Sequence, residues 1–191
     1  DATDTATTQV LSSNLDYTVN DGQDVTEATT IGSLDQFTGG AGAGGHMGAA
    51  ETGTITITGY QSDGTAITAG NTLAVSATTD LGDLIDKLNS MLTGASASLV
   101  DGSIRITDNV SGYSRSDIKL AYTPGGASTA DLEVPAYFEM TTVGGEEVKN
   151  VSITIYDSLG GGHVLSGAFV RTDTANTWDL VLSSVTGDVA N

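Results

Sequence analysis

Thr54-Ile55-Thr56-Ile57-Thr58 alternates polar and apolar β-branched residues without a break. Successive side chains of a strand point to opposite faces, so this run predicts a strand that sets Ile55 and Ile57 on a core. Leu73, Val75 and Ala77 alternate in the same way, and Ser62-Asp63-Gly64 between the two runs is a turn signal of the Asp-Gly type. A hairpin is expected here. Working outward, Leu81, Leu84, Ile85, Leu88, Met91 and Leu92 recur at helical spacing and predict an amphipathic helix over 81–93. Thr79 or Asp80 can cap its start, Asp83 suits the positive end of the helix dipole, and Gly94 suits the position after the last turn. Leu84, Ile85 and Leu88 are the expected core of that helix, covering a sheet.

The strongest turn signal follows. Asp101-Gly102 separates Ala95-Ser96-Ala97-Ser98-Leu99-Val100 from Ser103-Ile104-Arg105-Ile106-Thr107 and predicts a second hairpin. Ile118, Leu120 and Tyr122 alternate once more before Pro124-Gly125-Gly126 ends the pattern. Near the end, Val151, Ile153 and Ile155, then Leu165, Gly167 and Phe169, then Trp178, Leu180 and Leu182 predict a three-stranded meander. Thr8 to Leu15 has the period of one further strand, with Val10 near its middle, free to join either sheet. The fold class is therefore mainly β, a β-rich α+β chain with one helix.

Composition narrows function. The 191 residues hold 24 Asp and Glu against 6 Lys and Arg, a net charge of −18, which repels nucleic-acid phosphates and anionic membranes. No Cys is present, so thiolate catalysis, disulfides and zinc-thiolate sites are excluded. No apolar run reaches the roughly 18 residues of a membrane-spanning helix. The chain starts at Asp1 without a leader pattern, as expected of an excised piece. A low-aromatic acidic chain can be disordered, and it is the periodicity that argues for folding.

The motifs carry little chemistry. Gly40-Ala41-Gly42-Ala43-Gly44-Gly45 fits G-x-G-x-x-G by letter, but it leads into a strand where a dinucleotide site needs a helix start. A flexible loop is expected. His46 and His163 stand apart, without metal-ligand spacing, and no G-x-S-x-G nucleophile elbow occurs. The acidic groups Asn20-Asp21-Gly22-Gln23-Asp24 with Glu27, and Asp173 with Asp179 and Asp188, lack the alternating spacing of a calcium loop and read as solvated charge. Neither metal nor cofactor is expected, and no enzyme activity.

Two stretches resemble known families. Ile153-Thr154-Ile155-Tyr156-Asp157-Ser158-Leu159-Gly160, then His163, Leu165, Phe169 and Asn176-Thr177-Trp178, resembles the outer domain of the bacterial flagellar hook protein. Tyr156, Asp157, Ser158, Gly160, His163, Phe169, Asn176 and Trp178 are its signature positions, structural rather than catalytic. Thr7 to Asp16 is similar to the segment by which hook proteins enter that domain. Asp80 to Asn89, with Ala97-Ser98-Leu99 and Ile104 to Asn109, is similar to a module of flagellins, hook-associated proteins and longer hook proteins. Gly161-Gly162 departs from the hook pattern, which often has Asn-Pro or Asn-Ala before the His.

This resemblance implies two domains: a small antiparallel sandwich or barrel-like domain from residues 1–18 plus 133–191, and an inserted β-rich domain over 19–132. It implies a structural subunit of the flagellar hook, outside the cell, whose partners are other copies in a helical tube. The fragment alone is expected to be monomeric, since the long terminal helices of the family are absent. Another flagellar axial protein, such as a hook-associated protein, and a calcium-binding surface adhesin are the alternatives.

Overall fold

In the computed structural model, which describes residues 6–126, 128–145, 148–156, 160–172 and 177–186, the alternating apolar residues turn inward on a mostly β framework. Along the chain come β1 (Val10–Asp16), β2 (Thr18–Val19), β3 (Gln23–Asp24), β4 (Phe37–Thr38), β5 (Thr52–Tyr60) and β6 (Thr72–Ser76). Helix α1 (Leu81–Met91) precedes β7 (Ala95–Val100), β8 (Ser103–Asp108), β9 (Asp117–Pro124), β10 (Asp131–Leu132) and β11 (Phe138–Thr142). The chain closes with β12 (Val148–Tyr156), β13 (Gly162–Arg171) and β14 (Trp178–Thr186). Among the described residues α1 is the one α-helix.

Three antiparallel sheets matter most. Their orders are β11-β1-β8-β7, β6-β5-β9 and β12-β13-β14. The first grows from the expected 95–107 hairpin, whose turn residues Asp101 and Gly102 both take positive φ, 50° and 85°. A Cβ at Gly102 would lie 2.5 Å from the Tyr17 carbonyl oxygen, so only glycine fits this close approach. On the other flank of β8 lies β1, in register Leu11 to Ile106, and β11 closes the sheet with Leu11 opposite Met140. Residues 1–18 were expected to pair with strands from 133–191. β1 pairs with β11 from that region and with β8 from the other, so one strand bridges both segments.

The hairpin expected around Ser62-Asp63-Gly64 takes a longer route. The turn forms, with the Gly64 amide donating to the Gln61 carbonyl at 2.9 Å and the Thr65 amide to the Asp63 carboxylate at 2.8 Å. Pairing with β5 then lapses after the Tyr60–Ala66 bridge and resumes only at Thr72. The intervening segment tucks Ile67 into the core, its amide bonded to the Gly59 carbonyl at 2.9 Å.

Helix α1 begins where expected. Asp80 accepts from the Asp83 amide at 2.9 Å while Asp83 accepts from the Asp80 amide at 3.1 Å, a reciprocal capping box. It ends at Met91, two residues before the expected Thr93, because Leu92 is extended and the Gln61 carboxamide caps the end. That carboxamide donates to the Met91 carbonyl at 2.8 Å and accepts from the Thr93 amide at 2.9 Å. Leu81, Leu84, Ile85 and Leu88 are buried. They share one core with Ile55 and Ile57 of β5, Ile104 and Ile106 of β8, Ile118 of β9, Leu11, Tyr17, Leu34 and Phe37. Asn89 fastens the helix to β7, donating to the Ala97 carbonyl at 3.1 Å and accepting from its amide at 2.7 Å. A free strand edge is thereby occupied by a side chain.

Candidate functional site

Alternation gives the β12-β13-β14 sheet two unlike faces. The inner face carries Ala168 and Val170, both fully buried, and joins the body through Asp179, whose carboxylate accepts a hydrogen bond from the Tyr113 hydroxyl. The Arg115 guanidinium stands 5.4 Å from the Tyr113 ring centroid, a favourable cation–π separation.

The outer face is built from cross-strand sets. Lys149, Phe169 and Leu180 stand side by side, as do Val151, Gly167 and Leu182, while Ile153 lies opposite Leu165 and Arg171 opposite Trp178. Ile153, Ile155, Phe169, Trp178, Leu180 and Leu182 are exposed, from 42% for Trp178 to 53% for Leu182. No Asp or Glu occupies a described position on this face. Gly167 allows the bulge beside it, since a Cβ there would lie 2.3 Å from the Val181 carbonyl oxygen. The bulge lies past Leu182, at Ser183, so Leu182, Leu180 and Trp178 stay in unbroken register on the same side as Phe169.

The structure distributes the signature positions over this sheet. Phe169 and Trp178 stand on the outer face, and His163, opposite Ile155, is buried. Tyr156 ends β12 on the inner-face register, largely exposed, and Gly160 takes φ 83° between β12 and β13. Asp157, Ser158 and Asn176 lie outside the described residues. Sequence periodicity identified which residues share the face, but gave no sign that Leu182 lines a cleft with Leu11, Phe138 and Met140.

The glycine tract is more organised than its composition implied. The Gly40 amide donates to the Gly45 carbonyl at 2.8 Å and the Gly42 amide to that of His46 at 2.9 Å. Glu51 anchors this closed turn, accepting from the Gly48 amide at 2.6 Å, the Ala41 amide at 2.8 Å and the Ser128 hydroxyl at 2.8 Å. Those donors, Gly48 first, hold the carboxyl below the usual carboxylate range. Its value in the folded chain lies below the unfolded one, so the stabilisation is present at neutral pH and fades as pH falls through the lowered value. Glu51→Gln is expected to speed amide hydrogen exchange at Ala41 and Gly48 while core amides of β5 and β8 keep their protection. Equal exchange in both proteins would show that the carboxylate does not hold the turn.

Acidic side chains elsewhere serve the backbone too. Asp35 accepts from the Gly22 amide at 2.8 Å and the Asp21 amide at 3.1 Å, which lowers its pKa, Gly22 contributing most. Among the described residues no three His, Cys, Asp or Glu side chains gather as a metal site would require. We expect calcium to raise the melting temperature no more than sodium at matched ionic strength, by screening alone. A calcium-specific rise in a thermal melt would favour the adhesin reading.

One polar cleft, about 630 Å³, opens between Ser62 and Asp63, residues 108–115, and Arg171 with Thr172. Neither histidine lines it. No helix among the described residues is long and apolar enough to cross a membrane.

The chain is similar in structure to the flagellar cap protein FliD D1-D2-D3 domains from Escherichia coli, at 16% identity and a TM-score of 0.39. That likeness covers 95% of this chain and 42% of the other, so this chain spans less than half the length of its structural neighbour. No curated protein sequence matches it. Residues 127–190, which include β10 to β14, match the family of the Flagellar basal body protein FlaE D2 domain, and that match supports a flagellar hook-type protein.

Proposed function

We propose that this chain is an outer portion of the structural subunit of the bacterial flagellar hook, the curved tube that joins motor to filament. One observation carries the reading: the segment that matches the FlaE D2 domain is the one in which His163, Phe169 and Trp178 stand in a single antiparallel sheet. Its role is mechanical, with other copies of the subunit as partners and the flagellum outside the cell as its place. The acid-rich surface of the remainder suits neighbours that must slide past one another as a tube bends.

The division of the chain is part of the proposal. Strand pairing supports grouping β1 and β11 with the unit spanning 19–132, since both lie in the sheet of β7 and β8, and treating β12 to β14 as a second unit.

Gold-labelled antibodies raised against the chain, applied to flagella of the cells that encode it, test the reading. Label confined to the short segment between cell surface and filament is the expected result. Label at the junctions or tip of the filament would replace it with a hook-associated or cap role, and label spread over the cell surface with an adhesin.

A further inference from the structure

Three Asp-Gly dipeptides stand in the chain, Asp21-Gly22, Asp63-Gly64 and Asp101-Gly102. Such a pair can convert to isoaspartate. The glycine amide nitrogen attacks the carbon of the aspartate side-chain carboxyl, a succinimide ring closes, and the amide proton and the carboxyl hydroxyl leave as water. Water then opens the ring. Attack at the side-chain carbonyl restores aspartate, whereas attack at the main-chain carbonyl leaves the chain running through the former side chain, with an added backbone carbon. Closure needs a glycine nitrogen released from its hydrogen bond and a peptide able to turn toward the side chain, so local opening of the fold decides which pair reacts.

Two of the pairs are firmly held. The Gly64 amide donates to the Gln61 carbonyl at 2.9 Å, the Asp63 carboxylate accepts from the Thr65 amide at 2.8 Å, and a Cβ on Gly64 would lie 3.0 Å from Arg115 Cδ. Asp101-Gly102 closes the hairpin of β7 and β8, which pairs along the whole of both strands. Gly102 is buried there, and its carbonyl accepts from the Tyr17 amide at 2.9 Å. Turning that peptide means opening the main sheet.

Asp21-Gly22 sits differently. It joins the two-residue strands β2 and β3, and Asn20 to Asp24 are all exposed. A ribbon that short has little pairing of its own. Asn20 and Asp21 hold left-handed φ of 51° and 62°, a conformation that costs residues with a Cβ and so favours opening. A Cβ on Gly22 would meet nothing within 4 Å, so the peptide has room to turn. What restrains it is the Asp35 carboxylate, which accepts from the Asp21 amide at 3.1 Å and the Gly22 amide at 2.8 Å, both bonds exposed to water.

We infer that Asp21-Gly22 is the Asp-Gly pair of this chain that forms isoaspartate, and that Asp35 guards it by holding the Gly22 nitrogen. Water-exposed bonds to one side chain open more readily than a paired hairpin or a crowded turn. The guard therefore slows the reaction at Asp21 without bringing it down to the rate of the other two pairs.

All three pairs can be followed in one sample. The folded 191-residue chain is kept warm at neutral pH in heavy-oxygen water for some weeks, then digested in ordinary water with chymotrypsin, whose cuts after Tyr17, Leu34, Tyr60, Leu73, Leu99 and Tyr113 part the pairs. Mass spectrometry with electron-transfer fragmentation reads isoaspartate and heavy oxygen in each peptide. Both are expected at Asp21 at least about tenfold above Asp63 and Asp101, with the three rates drawing together in urea. Asp35→Ala, shown to be folded by circular dichroism, should raise the rate at Asp21 by about threefold or more and leave the other two as they were. Should that variant unfold, the comparison among pairs in the unaltered chain still decides the site, and Asp35→Asn, which keeps a single acceptor oxygen, tests the guard. Asp63 or Asp101 reacting as fast as Asp21 in the folded chain, the same spread of rates in urea, or no acceleration on loss of the Asp35 carboxylate would overturn the inference.

Discussion

Replacing Leu88 by Ala lowers the free energy of unfolding by about 2–5 kcal/mol, the range for truncating a fully buried leucine. Leu88 has no exposed surface, and its neighbours cannot close the void cheaply. Asn89 holds the helix to β7 by two hydrogen bonds, while the capping box and Gln61 fix both helix ends. A helix fastened at so many points cannot slide inward to fill a cavity, which places the expected loss in the upper half of that range. Urea melts followed by far-ultraviolet circular dichroism measure it. A loss under about 1 kcal/mol would mean that the apolar stripe of α1 contributes little to the core.

Gly59→Ala is expected to be damaging on a similar scale, at about 3 kcal/mol or more. Gly59 sits within β5 at φ +129°, and a Cβ there would lie 1.8 Å from the Asp117 carbonyl oxygen. Alanine can relieve that overlap only by parting β5 from β9 at its Gly59–Ile118 and Tyr60–Asp117 pairs. Gly70→Ala is the natural comparison, since Gly70 has φ +63° but open space around its missing Cβ. It should cost only the roughly 1–2 kcal/mol of left-handed backbone. Thermal or denaturant melts of the two variants separate steric overlap from backbone strain, and equal losses would refute the overlap.

Legibility in the sequence follows the range of the interactions. The strand at 54–58, the Asp101-Gly102 turn and the start of α1 rest on contacts within a few residues, and each appears close to where local pattern put it. The helix end was misplaced because its cap is the Gln61 carboxamide, from a turn about thirty positions earlier. The order of the glycine tract is not legible in its composition, because its anchor, Glu51, is one of many acids and shows its role only through amides that the fold brings to it. Of the terminal sheet, the alternation of Ile153, Phe169 and Leu180 gave the face but not its cover, because period tells which residues look the same way and not what they look at. Three of the eight signature positions, Asp157, Ser158 and Asn176, lie outside the described residues.

The place of β1 has a kinetic consequence. Val10 pairs with Thr107 on one side and Thr142 on the other, so the first strand of the main sheet is completed by two of the later ones. Closing such long loops must be met before any pairing rewards it, and chains ruled by distant pairings fold in roughly milliseconds to seconds rather than microseconds. Until Phe138 to Thr142 is available, β1 keeps one open edge, and an open edge is where a half-made β protein recruits its neighbours. The main sheet is therefore a late event in folding, finished when a strand from far along the chain covers the open edge of one that stood near its beginning.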